Sequence, residues 1–168
     1  MKELLQNQLF KYAVNKLSQI ISTLFFIGYF KWMPGTIGSL FSIIVVMALK
    51  YYLNFLVFIC ILFLILLISI KSIEIYSKSI NKHDSSEIVI DEFLGIYFIM
   101  IFYDYFTSSN IFIDIILIFI FFRIFDILKP FPANFIDKKF KNSFGVIFDD
   151  IIAGIYSIVA LFLINAII

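Results

Sequence analysis

Apolar runs long enough to cross a bilayer alternate with short polar stretches along this chain. A membrane-crossing helix needs about 20 predominantly apolar residues. Residues 51–70 supply such a run without a charge. Residues 88–106 supply a second, with Asp91 and Glu92 near its start. Residues 111–128 carry Arg123 and Asp126 near their end, and 147–168 carry Asp149 and Asp150 near their start. The run 37–49 is shorter, ~20 Å of helix, and either extends through Tyr51 and Tyr52 or enters without crossing. Residues 18–29 are shorter again and read as interfacial or re-entrant. The pattern predicts an all-α, polytopic membrane bundle of about five spans. It forms one domain over residues 1–168, with 1–31 as an N-terminal interfacial segment.

Lysines orient the spans. Segment 71–87 carries Lys71, Lys78 and Lys82, and segment 129–145 carries Lys129, Lys138, Lys139 and Lys141. The N-terminal stretch carries Lys2, Lys11, Lys16 and Lys31. The opposite connections offer Lys50 and the stretch 107–110, flanked by Asp104 and Asp114. Excess Lys and Arg marks the cytoplasmic side. The N-terminus and both long loops are therefore expected in the cytoplasm and the C-terminus outside. Under that topology Asp91-Glu92, Arg123–Lys129, Asp149-Asp150 and the start of the run at 37 share one face and a similar depth.

Composition fits this class. Hydrophobic residues make up 62% of the 168, against roughly 45–50% in soluble domains, more than a soluble fold of this length can hide. A net charge of +1 gives no electrostatic basis for a nucleic-acid partner. Cys60, in mid-run, reads as a small apolar residue. The 23 Phe residues read as packing and lipid-facing surface. The first twenty residues lack the apolar core and cleavage site of a signal peptide, so they are expected to stay on the mature protein.

Several carboxylates at the edge of hydrocarbon are costly and mark function. Asp and Glu in a first helical turn complement the helix dipole. That plain explanation serves Asp149-Asp150 better than Asp91-Glu92. It fails for Asp126, near a helix C-terminus. Clustered acids in low dielectric need a cation or protonation to coexist. Hard oxygen donors, with one His in the chain, favour Mg²⁺ over Zn²⁺; protonation would point to a proton path. Arg123, Asp126 and Lys129 recur at a spacing of three and share a helix face. They can neutralise one another or grip phosphate. The stretch from Pro34 to Ser39 offers Gly35 for close backbone approach to an anion, and Thr36 and Ser39 as hydroxyl donors. A plain turn with an N-cap is the simpler use of Pro-Gly-Thr. His83-Asp84 in a polar loop is a candidate proton donor. Gly95, Ala153 and Gly154 would let helices approach and draw the acids together.

Three stretches resemble the phosphatidylglycerophosphatase A family in order and spacing: Pro34-Gly35-Thr36-Ile37-Gly38-Ser39; Ile88 to Gly95 around Asp91-Glu92; and Phe122 to Gly154, holding Arg123, Asp126, Lys129, Asp149 and Asp150. The chain departs from the family's pattern at Asn142-Ser143, where a Gly-Gly pair is usual. The resemblance implies a Mg²⁺-dependent lipid phosphatase of the bacterial inner membrane, with its site on the cytoplasmic face. It would hydrolyse phosphatidylglycerophosphate, a membrane phospholipid, to phosphatidylglycerol and inorganic phosphate in phospholipid biosynthesis. Asp91, Glu92, Asp149 and Asp150 would hold the metal, with Asp126 a ligand or orienter. Arg123 and Lys129 would clamp the phosphate, with Gly35, Thr36 and Ser39 capping it. His83 or Asp84 would protonate the leaving oxygen. The nucleophile is water or an aspartate. A small proton- or ion-coupled transporter using the same acids is the competing reading. The spaced aspartates of a CDP-alcohol phosphotransferase are not found.

Overall fold

The computed structural model describes residues 2–82, 85–108 and 110–166. Seven α-helices and two short 3₁₀ turns account for the regular structure, with no strand among the described residues. The helices are α1 (Lys2–Ser22), α2 (Pro34–Tyr52), α3 (Phe55–Ile80), α4 (Ile90–Ile101), α5 (Ile111–Leu128), α6 (Ala133–Lys139) and α7 (Ser143–Asn165).

Local chemistry sets the ends of these helices. Pro34 opens α2 at the position where a missing N–H costs nothing. Asn54, Asn110 and Asn142 cap α3, α5 and α7, each side chain accepting from a backbone N–H two or three residues on. Between α1 and α2 the chain reverses through Leu24, Phe25 and Phe26, all with positive φ. Three consecutive left-handed residues with side chains are strained. Thr23 holds the reversal: its hydroxyl donates to Gln19 O at 2.8 Å and accepts from Phe26 N at 3.1 Å.

Helix α4 is the centre. Of its residues, all but Phe98 and Ile101 are buried, and it packs against α2, α3, α5 and α7. Tyr97 is fully buried, donates to Phe58 O at 2.9 Å and packs on the Phe58 ring. Helices α4 and α7 meet through glycine: a Cβ on Gly95 would lie 2.9 Å from Asp150 O, and one on Gly154 3.1 Å from Gly95 O. That close crossing places Asp91 and Asp150 across from one another, as the small residues suggested.

Helices α2, α3 and α7 are long and apolar enough to cross a membrane. Helix α5, at 18 residues, is ~27 Å long, but carries Asp114, Arg123 and Asp126. Helix α4 is shorter than expected. It stops after 12 residues, ~18 Å, and residues 103–105 form a separate 3₁₀ turn. Segment 71–87 also differs from the expected polar loop, because α3 runs on to Ile80. There Glu74 pairs with Lys71 and Lys78 one turn either side, spacings that support a helix, and α1 packs along it. Cys60 is exposed on α3, as an apolar lipid-facing residue would be. The end of the bundle remote from Asp91 is closed by a Lys50–Asp104 pair at 2.9 Å. Buried Asp114 there accepts from Tyr103, Thr107 and the Ser108 N–H.

Candidate active site

A cavity of about 360 Å³ opens at one end of the bundle. The first turns of α2 and α4, the last turn of α5 and the second turn of α7 line it. Five carboxylates face it: Asp91, Glu92, Asp126, Asp149 and Asp150. Two cations, Arg123 and Lys129, stand among them. The acids predicted to share one face therefore do so, although they are far apart in sequence.

Arg123 organises one side. Its Nη1 donates to Glu92 Oε1 at 3.0 Å and Asp126 Oδ2 at 2.6 Å, with Ser39 Oγ at 3.5 Å. The pairing anticipated from the Arg123–Asp126 spacing is present, and it offsets the cost of a negative charge in the last turn of α5. Nε of Arg123 is buried without a hydrogen bond. The guanidinium thus holds two carboxylates with one nitrogen and keeps another donor free. Lys129 ends α5 in the left-handed conformation, and its Nζ reaches Asp149 Oδ2 at 2.5 Å. On the far side of the next loop, Tyr156 of α7 donates to Phe131 O at 2.7 Å and ties the chain after Lys129 to α7.

The helix-dipole explanation exchanges its targets. Asp91 and Glu92 lie in the first turn of α4, so the dipole favours them. Asp149 and Asp150 lie two turns into α7, which starts at Ser143, beyond the dipole's reach. They are 5% and 3% exposed, so burial without a dipole is the stronger sign of function there.

Residues 34–39 form the opening turns of α2 and not a loop ahead of it. Gly35 and Thr36 line the cavity. Gly35 makes room for a side chain: a Cβ there would lie 2.1 Å from Glu92 Oε1, and one on Gly38 2.7 Å from Glu92 Oε2. The two glycines form the seat of the Glu92 carboxylate. Ser39, expected to bind phosphate, does not line the cavity. It is fully buried and donates to Gly35 O at 2.8 Å, behind Arg123. His83 and Asp84 lie outside the described residues. The sequence reading missed Ser85 and Ser86, which line the cavity; nothing in a Ser-Ser pair distinguishes it from ordinary loop. Asn142-Ser143, in place of the family's Gly-Gly, starts α7: Asn142 Oδ1 accepts from Gly145 N at 3.1 Å.

The donor set suits a hard divalent cation. All five acids supply oxygen, and Glu92 Oε2 is buried without a hydrogen bond. As the side chains stand, no three His, Cys, Asp or Glu among the described residues are close enough to hold one metal. Mg²⁺ asks less, because it keeps several waters and is held by one or two carboxylates together with substrate phosphate. The residues present therefore fit Mg²⁺ in chemistry and number.

The family described as Phosphatidylglycerophosphatase A matches residues 20–165. The chain belongs to that family. It is a family of phosphatases, so the cavity is an enzyme's active-site candidate. A Phosphatidylglycerophosphatase A of Haemophilus influenzae is 34% identical over 132 residues, covering 79% of this chain and 78% of its own. A protein of Bacteroides thetaiotaomicron, provisionally named phosphatidylinositol-3-phosphatase, is 32% identical over 143 residues, covering 83% and 88%. The Phosphatidylglycerophosphatase A of Escherichia coli is 30% identical over 127 residues, covering 74% and 69%. No solved structure matches the chain.

Proposed function

We propose that this protein hydrolyses phosphatidylglycerophosphate to phosphatidylglycerol and inorganic phosphate, depends on Mg²⁺, and serves phospholipid biosynthesis in the bacterial inner membrane. Beside family membership, one observation carries the reading. A single cavity gathers five carboxylates and two cations at one end of an apolar bundle. That is where a lipid headgroup meets protein.

In the net reaction the P–O bond to the headgroup glycerol breaks. A water oxygen joins phosphorus, and a proton passes to the leaving oxygen. Arg123 and Lys129 bind the phosphoryl oxygens, where charge must be neutralised. Asp126 and Glu92 fix the guanidinium so that its free donor faces one direction. Thr36 and the unpaired amides of the first turn of α2 add neutral donors. One or two of Asp91, Glu92, Asp149 and Asp150 would hold Mg²⁺ together with the substrate phosphate, with Asp126 as orienter. The ion, when bound, supplies positive charge to the phosphoryl oxygens and makes a water more acidic. Water attacks directly, or one aspartate takes the phosphoryl group first. His83 and Asp84 remain the proposed proton donors.

The lysine distribution supports about five crossings with the N-terminus, and this cavity, on the cytoplasmic side. The transporter alternative requires acids spread along a path through the bundle, whereas these gather at one end.

The test is phosphate release by purified protein in mixed micelles, with EDTA and with Mg²⁺ restored. Phosphatidylglycerophosphate is compared with phosphatidylinositol 3-phosphate, in view of the Bacteroides relative. Mg²⁺-restored release from the first supports the proposal. No release from it, or faster release from the second, overturns it.

A further inference from the structure

The wall of the cavity formed by Ser85 and Ser86 has no part in the chemistry above. Ser85 is 3% exposed. Ser86, next to it, is exposed. Both line the cavity that holds Arg123, Lys129 and the five acids. The charged residues answer a phosphate and its cation, whereas two adjacent neutral hydroxyls match the hydroxyls of a polyol, as donors and acceptors alike.

This wall is held from behind. Gln19 Nε2 donates to Tyr29 Oη at 2.5 Å, and Tyr29 Oη lies 2.8 Å from Tyr76 Oη. Tyr76 Oη donates to Glu87 Oε2 at 2.5 Å. The chain of side chains runs from α1 through the first 3₁₀ turn and α3 to the residue after Ser86. Backbone contacts support it: Val89 N donates to Ser22 O at 3.0 Å, Ile88 N to Ser85 O at 2.8 Å, and a Cβ on Gly28 would lie 1.9 Å from Glu87 O. The family match begins at residue 20, so Gln19 and most of α1 lie outside it.

We infer that Ser85 and Ser86 bind the polyol part of the headgroup on the leaving side of the scissile bond, and that Tyr76, through Glu87, positions them. The inference deepens the proposed function and rests on it for the substrate's identity. The serines set headgroup preference, while Tyr76 acts on the cavity without touching substrate.

The test uses the purified full-length protein in detergent. Two probes are titrated calorimetrically: glycerol 3-phosphate, which is the headgroup fragment with its hydroxyls, and inorganic phosphate, which lacks them. Each lost neutral hydrogen bond weakens binding about 3- to 10-fold. Wild type is expected to hold glycerol 3-phosphate about 10-fold or more tighter than phosphate. Ser85→Ala and Ser86→Ala each narrow that preference about 3- to 10-fold, with phosphate affinity held as the sign of an intact fold. Tyr76→Phe narrows it too, although it removes nothing from the cavity wall. Equal binding of the two probes by wild type, or an undiminished preference in both serine variants, overturns the wall's role. An undiminished preference in Tyr76→Phe overturns the positioning. Because binding is read without turnover, a protein that binds as stated yet releases no phosphate from phosphatidylglycerophosphate refutes the proposed reaction and leaves this inference standing.

Discussion

Replacing Gly35 with alanine separates the stability of the fold from the geometry of the site. Gly35 lies in the first turn of α2 with no unusual φ, so the backbone accepts alanine. Propensity alone favours the change by up to about 1 kcal/mol, less at a helix end. The new Cβ would lie 2.1 Å from Glu92 Oε1 and 3.1 Å from Arg123 Nη1. The end of the Glu92 side chain is the part able to yield, and must retreat by roughly 1 Å, a displacement that can cost 10²-fold in rate. It thereby leaves its 3.0 Å bond from Arg123 Nη1. A hydrogen bond to a charged group is worth about 1.5–3 kcal/mol, which is about 10- to 100-fold in kcat/KM if the bond serves the transition state. The Gly35→Ala protein should unfold in detergent within a few degrees of wild type, yet release phosphate 10- to 100-fold more slowly from phosphatidylglycerophosphate. A variant with wild-type kcat/KM would refute the claim that the Glu92–Arg123 contact governs the site. A variant that fails to fold would refute the claim that only a side-chain end must move.

Asp149→Asn and Asp150→Asn should each abolish phosphate release while the protein still inserts and purifies as a folded species, checked by membrane fractionation and circular dichroism; wild-type turnover by the double variant would end their assignment. Asn142→Ala removes the cap of α7 and should cost about 1 kcal/mol of stability, whereas Asn142→Gly should cost only a few tenths, read from thermal unfolding in detergent. In a Cys60→Ser background, Lys141→Cys should react with an impermeant maleimide from the cytoplasmic side of inverted vesicles, and Thr107→Cys only from the other side; labelling from the same side would reject the proposed topology.

The sequence by itself determined the class and, through the family, the kind of chemistry. Apolar runs too long and too numerous for a soluble core announced a membrane-type bundle, because hydrophobic burial follows composition. Acids and basic residues at the ends of those runs foretold a shared site, because the length of a run fixes where its ends fall. The motif residues were sufficient to identify the family. Matters of packing were out of reach. The end of α4 was one of them, because its apolar run continues past Ile101, where the helix stops. The purpose of Gly35 and Gly38 was hidden, because only the docking of α4 on α2 reveals the carboxylate they make room for. Ser39 looked like a ligand-binding hydroxyl until the fold directed it to a backbone carbonyl. Ser85 and Ser86 carried no signal, since two serines in a loop acquire meaning only from the charged residues across the cavity. Periodicity is a property of neighbours along the chain, whereas a site is made by residues that are distant in sequence, and only the tertiary contacts decide which of them meet.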